Sequence, residues 1–337
     1  MKLRNLMLMF AAATLATFAA TAIAQQPIII KFSHVVALDT PKGLAAEYFK
    51  KIAEERTKGR VKVEVYPNSQ LYKDKEELEA LQLGAVQMLA PSMAKFGPMG
   101  VREYESFDLP YLFDDFKELH RVTQGPIGQM LLKKLDSKGI VGLGFWDNGF
   151  KVMSANKPLR KPEDFKGLKM RIQSSKVLES QMRALGSIPQ VMAFGEVYQA
   201  LQTGVVDGTE NPISNFYTQK MHEVQKYLIL SNHGYLGYVL IANKKFWDGL
   251  PADIRVALDG AVKDATKFAN DLAQKKNDED LESVRKSGKT QIITLTPQEK
   301  QAWKKALIKV HQESEAKIGK DLLQSIYKET GFDPSKL

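Results

Sequence analysis

A chain of 337 residues with a formal charge of +9, 44% hydrophobic residues and no cysteine excludes several classes of protein at once. Without cysteine there are no disulfides, thiolate metal sites or cysteine nucleophiles, and a chain this long buries enough apolar surface to be stable without such staples. The lysines are scattered among glutamates and aspartates along predicted helices rather than clustered with stacking aromatics, so nucleic acid is not an expected partner, and the charge leans only towards an anionic small ligand.

The chain starts with Lys2 and Arg4, followed by an apolar stretch from about Leu6 to Ile23 and then the small residues of Ala22-Ile23-Ala24. That is the pattern of a secretory signal peptide over residues 1–24, cleaved after Ala24, and it predicts an exported protein. A membrane anchor is the rival reading, since a run of about 18 residues nearly spans a bilayer. The run is weakly apolar, rich in Ala and Thr, and ends in a cleavage site, which favours the leader. No later stretch resembles a spanning helix, so no membrane insertion is expected after cleavage.

"PIIIKFSHVV" then reads as a buried strand, and Asp39-Thr40-Pro41 as a helix cap with proline in the first turn. A helix over "KGLAAEYFKKIAEERT" ends near Gly59, "RVKVEVYP" alternates Val61, Val63 and Val65 on one strand face, and "DKEELEALQLG" is a helix stopped by Gly84. "AVQMLAPSMAKFG" is a strand running into a loop; "IVGLGFW" and "NGFKVMSA" read as two further strands. The β-α-β-α-β order then repeats: "GLKMRIQ" strand, "SKVLESQMRALG" helix, "IPQVMAF" strand, "GEVYQALQTG" helix, "VVDGTENP" strand and loop. "LILSNHGYLGYVLIANKKFWDGLP" reads as strands crossing between lobes, and a helical pattern of roughly 30 residues follows, unusually long for a globular domain. The tail adds a strand, "TQIITLT", and two or three helices.

The doubled pattern predicts an α/β protein with a two-lobed periplasmic binding fold: mixed sheets flanked by helices, a hinge cleft, and a long helix spanning both lobes. Residues 25–148 plus about 237–276 form the expected first lobe, and about 149–236 plus 277–337 the second. Ligands of such sheets meet the loops at the carboxyl ends of the strands.

Enzyme signatures are absent from the sequence. There is no G-x-S-x-G elbow and no glycine-rich phosphate loop, and the five histidines lack metal-ligand spacing, so neither a catalytic residue nor a metal or cofactor is expected. A periplasmic chaperone is a further alternative that the residues leave open.

The blocks "KFSHVVALDTPKG", "GLKMRIQSSK", "MAFGEVYQALQTGVVDGTENP" and "HEVQKYLILSNHGY" together resemble an extracytoplasmic solute-binding protein of the tripartite ATP-independent periplasmic (TRAP) transporters, of the DctP type. The resemblance runs from about Ile28 to the tail. It implies two lobes that close over an organic acid and a loaded receptor that delivers it to small and large membrane subunits driven by a sodium gradient.

The resemblance implies that Arg171, within "KMRIQ", is the carboxylate-binding arginine; a guanidinium matches both carboxylate oxygens with a rigid fork of donors. The alternative is a strand arginine paired locally with Glu163 or Asp164. Asn211 of "ENP" is carried over as a donor to the same carboxylate, against a plain turn asparagine before Pro212, and Phe194 as an aromatic lining the cavity, against core packing. Lys151 falls where relatives that bind sialic acid carry a second arginine; it either contacts a second carboxylate or extends to solvent. Trp146 and Asn148 are expected to line the same cavity. Strand-end positions place Ser92, Lys95 and His34 of the first lobe as donors to a distal carboxylate, and Lys42 lies near a helix N-terminus, where anions are favoured. Tyr217 and Tyr238 are candidate hydroxyl donors. The expected ligand is a small organic acid, foremost a C4-dicarboxylate such as succinate, malate or fumarate, with a keto acid, sugar acid or aromatic acid as alternatives.

Overall fold

The computed structural model describes residues 26–336, so the expected leader over residues 1–24 lies outside the described residues. The first part of the chain alternates as β1 (Ile28–Ser33), α1 (Pro41–Arg56), β2 (Val61–Tyr66), α2 (Glu77–Gln82) and β3 (Met88–Leu89). Thr40 caps α1, its Oγ1 accepting the Gly43 N–H at 3.1 Å, and Pro41 stands where a missing N–H does no harm. Gly84 ends the second helical turn with φ +79°, a conformation that a side chain would strain.

The next region, between β3 and the crossing strands, carries no strong periodicity in the sequence. It holds a 3-10 helix (Arg102–Asp108) and the helices α3 (Phe116–Thr123) and α4 (Pro126–Lys134). A second difference concerns the crossing strands. "IVGLGFW" and "NGFKVMSA" form one strand, β4 (Ile140–Ala155). Its partner β8 (Tyr227–Asn243) is likewise continuous, and the two pair antiparallel almost end to end. Register shifts between Gly142 and Gly144, Asp147 and Gly149, and Lys151 and Met153 bend this ribbon without ending it, as bulges do.

Between them come β5 (Lys169–Ile172), α5 (Lys176–Ala184), β6 (Ile188–Val191), α6 (Val197–Gln202), β7 (Gly208–Asn211) and α7 (Ile213–Thr218). After β8 follow α8 (Lys244–Asp248), α9 (Ala252–Ser287), β9 (Gln291–Thr294), α10 (Pro297–Leu307), α11 (Lys309–Ile318) and α12 (Lys320–Thr330). The strand order is β2-β1-β3-β8-β4-β7-β5-β6, with β9 beside β8. Parallel β1–β3 join the far half of β8 at Ile241 and Ala242, whereas β7 joins β4 at residues 152–155 and leads to parallel β5 and β6. One mixed sheet thus serves two lobes, and the long β4–β8 ribbon is the bridge between them.

Helix α9 runs 36 residues, and buried Ala261, Ala265, Ala269 and Ala273 recur at four-residue spacing along its inner face. Such small side chains let the helix lie close to its neighbours. At the strand crossing Asn277 pins it: its Nδ2 donates to the Asn148 carbonyl at 2.6 Å and its Oδ1 accepts the Ser214 N–H at 3.0 Å. Gly149 leaves the room for this contact, because a Cβ there would lie 2.8 Å from Asn277. The tail helices make contacts on both sides of the crossing strands. His311 Nε2 sits 2.8 Å from the Pro110 carbonyl and Arg121 Nε donates to the Glu329 carbonyl at 2.8 Å, while Trp303 Nε1 donates to Arg160 on the other side. The C-terminal helices therefore strap both lobes.

Candidate binding site

The short strand β5 alternates: Met170 and Ile172 join the apolar core, and Arg171 projects from the opposite face. Arg171 is 1% exposed. Its Nε and one Nη donate to the Met192 carbonyl at 3.1 and 2.8 Å, and its guanidinium carbon lies 5.8 Å from the centre of the Phe194 ring. Among the described residues no carboxylate comes within 4.0 Å of it. Asp164 is engaged elsewhere, accepting the Arg160 and Lys161 N–H groups, so the local-pairing alternative does not hold. Burial lowers the pKa of Arg171, opposed by the charges of Asp74 and Glu210, yet a guanidinium stays charged at any physiological pH. On the adjacent strand, Thr209 is the register partner of Arg171, and the Asn211 amide donates to its hydroxyl at 3.4 Å. Arg171 and Phe194 are thus brought together, with Asn211 two residues beyond the strand partner of Arg171.

The first lobe supplies a second cation of the same kind. Lys42, in the first turn of α1, is also 1% exposed. Its ammonium donates to the Ala90 carbonyl at 2.9 Å and stands 3.7 Å over the Tyr238 ring, again with no carboxylate within 4.0 Å among the described residues. Burial lowers its pKa to about 8, against the pull of Glu77 and Asp74. Burial also raises Glu77, helped by Asp74, so its carboxyl holds its proton more tightly than usual. His34 is fully buried, and the only hydrogen-bonding group set against its ring among the described residues is the Val36 backbone, beyond good hydrogen-bond geometry. Burial and the Lys42 charge hold its pKa down at about 3, so it is a neutral imidazole with one N–H to offer. Tyr238 accepts from Asn148 Nδ2 at 3.0 Å and from Asn215 Nδ2 at 3.3 Å, and Ser214 Oγ donates to Asn148 Oδ1 at 3.0 Å. Ser92 bridges to Tyr238 and caps the turn that carries Lys95.

Asp74, which sequence reasoning missed, ties the two lobes at this seam. It pairs with Lys95 at 2.9 Å and accepts the backbone N–H of Phe194 from the other lobe. Despite burial its pKa falls, because Lys95 and Arg171 favour the charged form. No local pattern in "YKDKEEL" separates it from the solvated acids around it.

Four of the expected site residues have partners of their own within the protein. Lys151 does not extend to solvent: its buried ammonium lies 2.8 Å from Glu210 and 3.7 Å from Asp108, so carboxylates of the protein itself already engage its charge. Burial alone would raise Glu210, but Lys151 and the His233 hydrogen bond at 3.0 Å hold it at about 2. Lys95 likewise spends its charge on Asp74. Trp146 is a core residue: it is fully buried, donates to Thr266 of α9 at 3.0 Å and packs against Phe32. Tyr217 is half-buried and stacks on His222, with no hydrogen bond or ring contact to the other candidates.

Two buried cations on opposite lobes, with amide, imidazole and hydroxyl groups around them, suit a small anion with charge at both ends. No cluster of three or more His, Asp or Glu among the described residues is placed to hold a metal, and no described helix is long and apolar enough to cross a membrane. A cavity of about 460 Å³ behind the crossing strands, lined by His120, Phe145, Thr266 and Asn270, contains none of the candidate residues.

Two α/β lobes bridged by a strand ribbon and a long helix, over a seam holding unpaired cations, define a solute-binding receptor of the two-lobed class. Residues 32–318 match the bacterial extracellular solute-binding proteins of family 7 (DctP), and the chain belongs to that family. It is 64% identical over 301 residues to the C4-dicarboxylate-binding periplasmic protein DctP of Rhodobacter capsulatus, covering 89% of this chain and 90% of the relative. The solved TRAP periplasmic solute-binding protein of Shewanella oneidensis, with bound succinate, is 43% identical over 90% of this chain and 99% of that one, with a TM-score of 0.88. That of Pseudomonas aeruginosa PAO1, with bound L-malate, is 44% identical over 85% and 100%, with a TM-score of 0.83. The chain is therefore a receptor and not an enzyme.

Proposed function

We propose that this protein captures a C4-dicarboxylate such as succinate or malate in the seam between its lobes and hands it to TRAP membrane subunits for sodium-coupled uptake. Export, with the leader cleaved after Ala24, would leave the receptor in the periplasm. The observation that carries the reading is the pair of buried cations, Arg171 and Lys42, each held by a backbone carbonyl and free of any carboxylate within 4.0 Å among the described residues. A buried charge without a counter-charge is costly, and a ligand bearing two carboxylates would relieve both sites at once. Arg171 and Asn211 would take one carboxylate; Lys42, with His34, would take the other. The succinate and malate held by the two solved relatives support the same ligand class.

A thermal-shift screen of residues 25–337 against organic acids tests this. At a hundredfold excess over Kd, ligand binding adds about 2.7 kcal/mol, a rise of roughly 5 °C for a chain of this size. Succinate and malate should give that rise and acetate should not. A screen in which only sugar acids or aromatic acids stabilise the protein would replace the ligand class.

A further inference from the structure

We propose that Glu105 is a closure latch: a first-lobe carboxylate that docks on the first turn of a second-lobe helix while the lobes are together and sets how long the ligand stays. The inference rests on the receptor reading above. Glu105 lies on the 3-10 helix Arg102–Asp108, which the first lobe anchors through Tyr104 stacked on Phe96 at 4.6 Å and Phe107 packed against Phe145. Its Oε1 accepts the backbone N–H of Lys176, the first residue of α5, at 3.0 Å. Helix α5 follows β5 and belongs to the second lobe. The first N–H groups of any helix lack partners within it, and its positive end favours a carboxylate. Ser175 of the second lobe serves the Leu178 N–H of this turn, so the turn is satisfied from both lobes together.

Two further observations set this contact apart from chance proximity. Glu105 is buried, yet among the described residues it has no ion-pair partner within 4.0 Å and no other hydrogen-bond donor. Gly97 makes the space for it: a Cβ at position 97 would lie 2.4 Å from Oε1 and 2.7 Å from the carboxyl carbon. Any side chain there would push the carboxylate off the Lys176 N–H. A cavity of about 410 Å³ lined by Gly97, Arg102, Glu105, Ser174, Ser175 and Lys176 keeps this seam open to water, so the contact can break when the lobes part. The latch is also separate from the charged centre, since neither Arg171 nor Lys42 touches Glu105.

Stopped-flow fluorescence with succinate reads the latch directly. Glu105→Ala should raise the dissociation rate about fivefold to tenfold, as loss of one helix cap would, with the association rate unchanged. Gly97→Ala should give the same increase although it removes no polar group, and combining the two should add little to either. Glu105→Gln, whose carbonyl still accepts, should recover part of the residence time. Unliganded thermal midpoints of the variants should match the wild type. An unchanged dissociation rate in Glu105→Ala, or an unliganded midpoint that falls along with affinity, overturns the latch. Failure of the wild type to bind any acid instead overturns the receptor reading, and the latch falls with it.

Discussion

Replacing Arg171 is the sharpest perturbation of the site. Two of its five N–H donors are committed to the Met192 carbonyl at 2.8 and 3.1 Å, which fixes the fork and leaves three donors for a ligand. Arg171→Ala removes the counter-charge from a buried carboxylate, and truncating one partner of such a pair costs about 3–5 kcal/mol, or roughly two to three and a half orders of magnitude in Kd. Arg171→Lys keeps the charge but cannot hold Met192 and both carboxylate oxygens together. Losing one charge-assisted hydrogen bond costs about 1.5–3 kcal/mol, so Lys should recover part of the loss and no more. The assay is isothermal titration calorimetry with succinate, alongside a urea melt of each unliganded variant. Because no carboxylate among the described residues lies within 4.0 Å of Arg171, Arg171→Met should leave unliganded stability intact. Succinate affinity within threefold of wild type in Arg171→Ala, or a large loss of unliganded stability in Arg171→Met, would refute this reasoning.

Lys42→Met should weaken succinate by about a hundredfold but butyrate much less, as calorimetry will show; equal losses would remove Lys42 from the distal carboxylate. Lys151→Met should act on the fold instead, since it strands Glu210 and Asp108; a loss of about 3–5 kcal/mol in urea unfolding is expected, and unchanged stability with a selective loss of dicarboxylate affinity would return Lys151 to the ligand. Burial raises the Asp108 carboxyl from 3.8 to about 7, with Lys151 pulling the other way. The folded state then holds a proton that the unfolded chain releases, so this contribution is full below about pH 4 and is lost as pH rises through about 7. Asp108→Asn should gain thermal stability relative to wild type between pH 5 and 8; a difference that does not change with pH would count against it.

What the sequence made legible was local. The Thr40-Pro41 cap, the alternation that turns Arg171 away from Met170 and Ile172, and the helix stops all depend on neighbours a few residues away. Arg171 and Phe194, both named by the motif resemblance, lie side by side, and Lys42 sits in the helix start where the sequence put it. The lysines show the limit. Lys151 and Lys42 look equally available in the sequence, but Glu210 reaches Lys151 from 59 residues away, and no carboxylate among the described residues comes within 4.0 Å of Lys42. Trp146 fails for a different reason: Phe145, Trp146 and Asp147 are all buried, so strand parity could not say which of them faces a cleft. Asp74 meets Phe194 across 120 residues, a contact set by the approach of two lobes rather than by any periodicity. The bulges at Gly142–Gly144 and Asp147–Gly149 made one crossing strand read as two.

The central claim is that two buried cations hold a ligand by both of its ends. Calorimetric titration of residues 25–337 with succinate and with butyrate, the same four-carbon chain with one carboxylate replaced by methyl, tests it most directly. The expected result is a single succinate site, with butyrate at least about a hundredfold weaker because it leaves one buried cation unpaired, a difference of about 2.7 kcal/mol. Equal affinities for the two acids, or no binding of succinate, would contradict it.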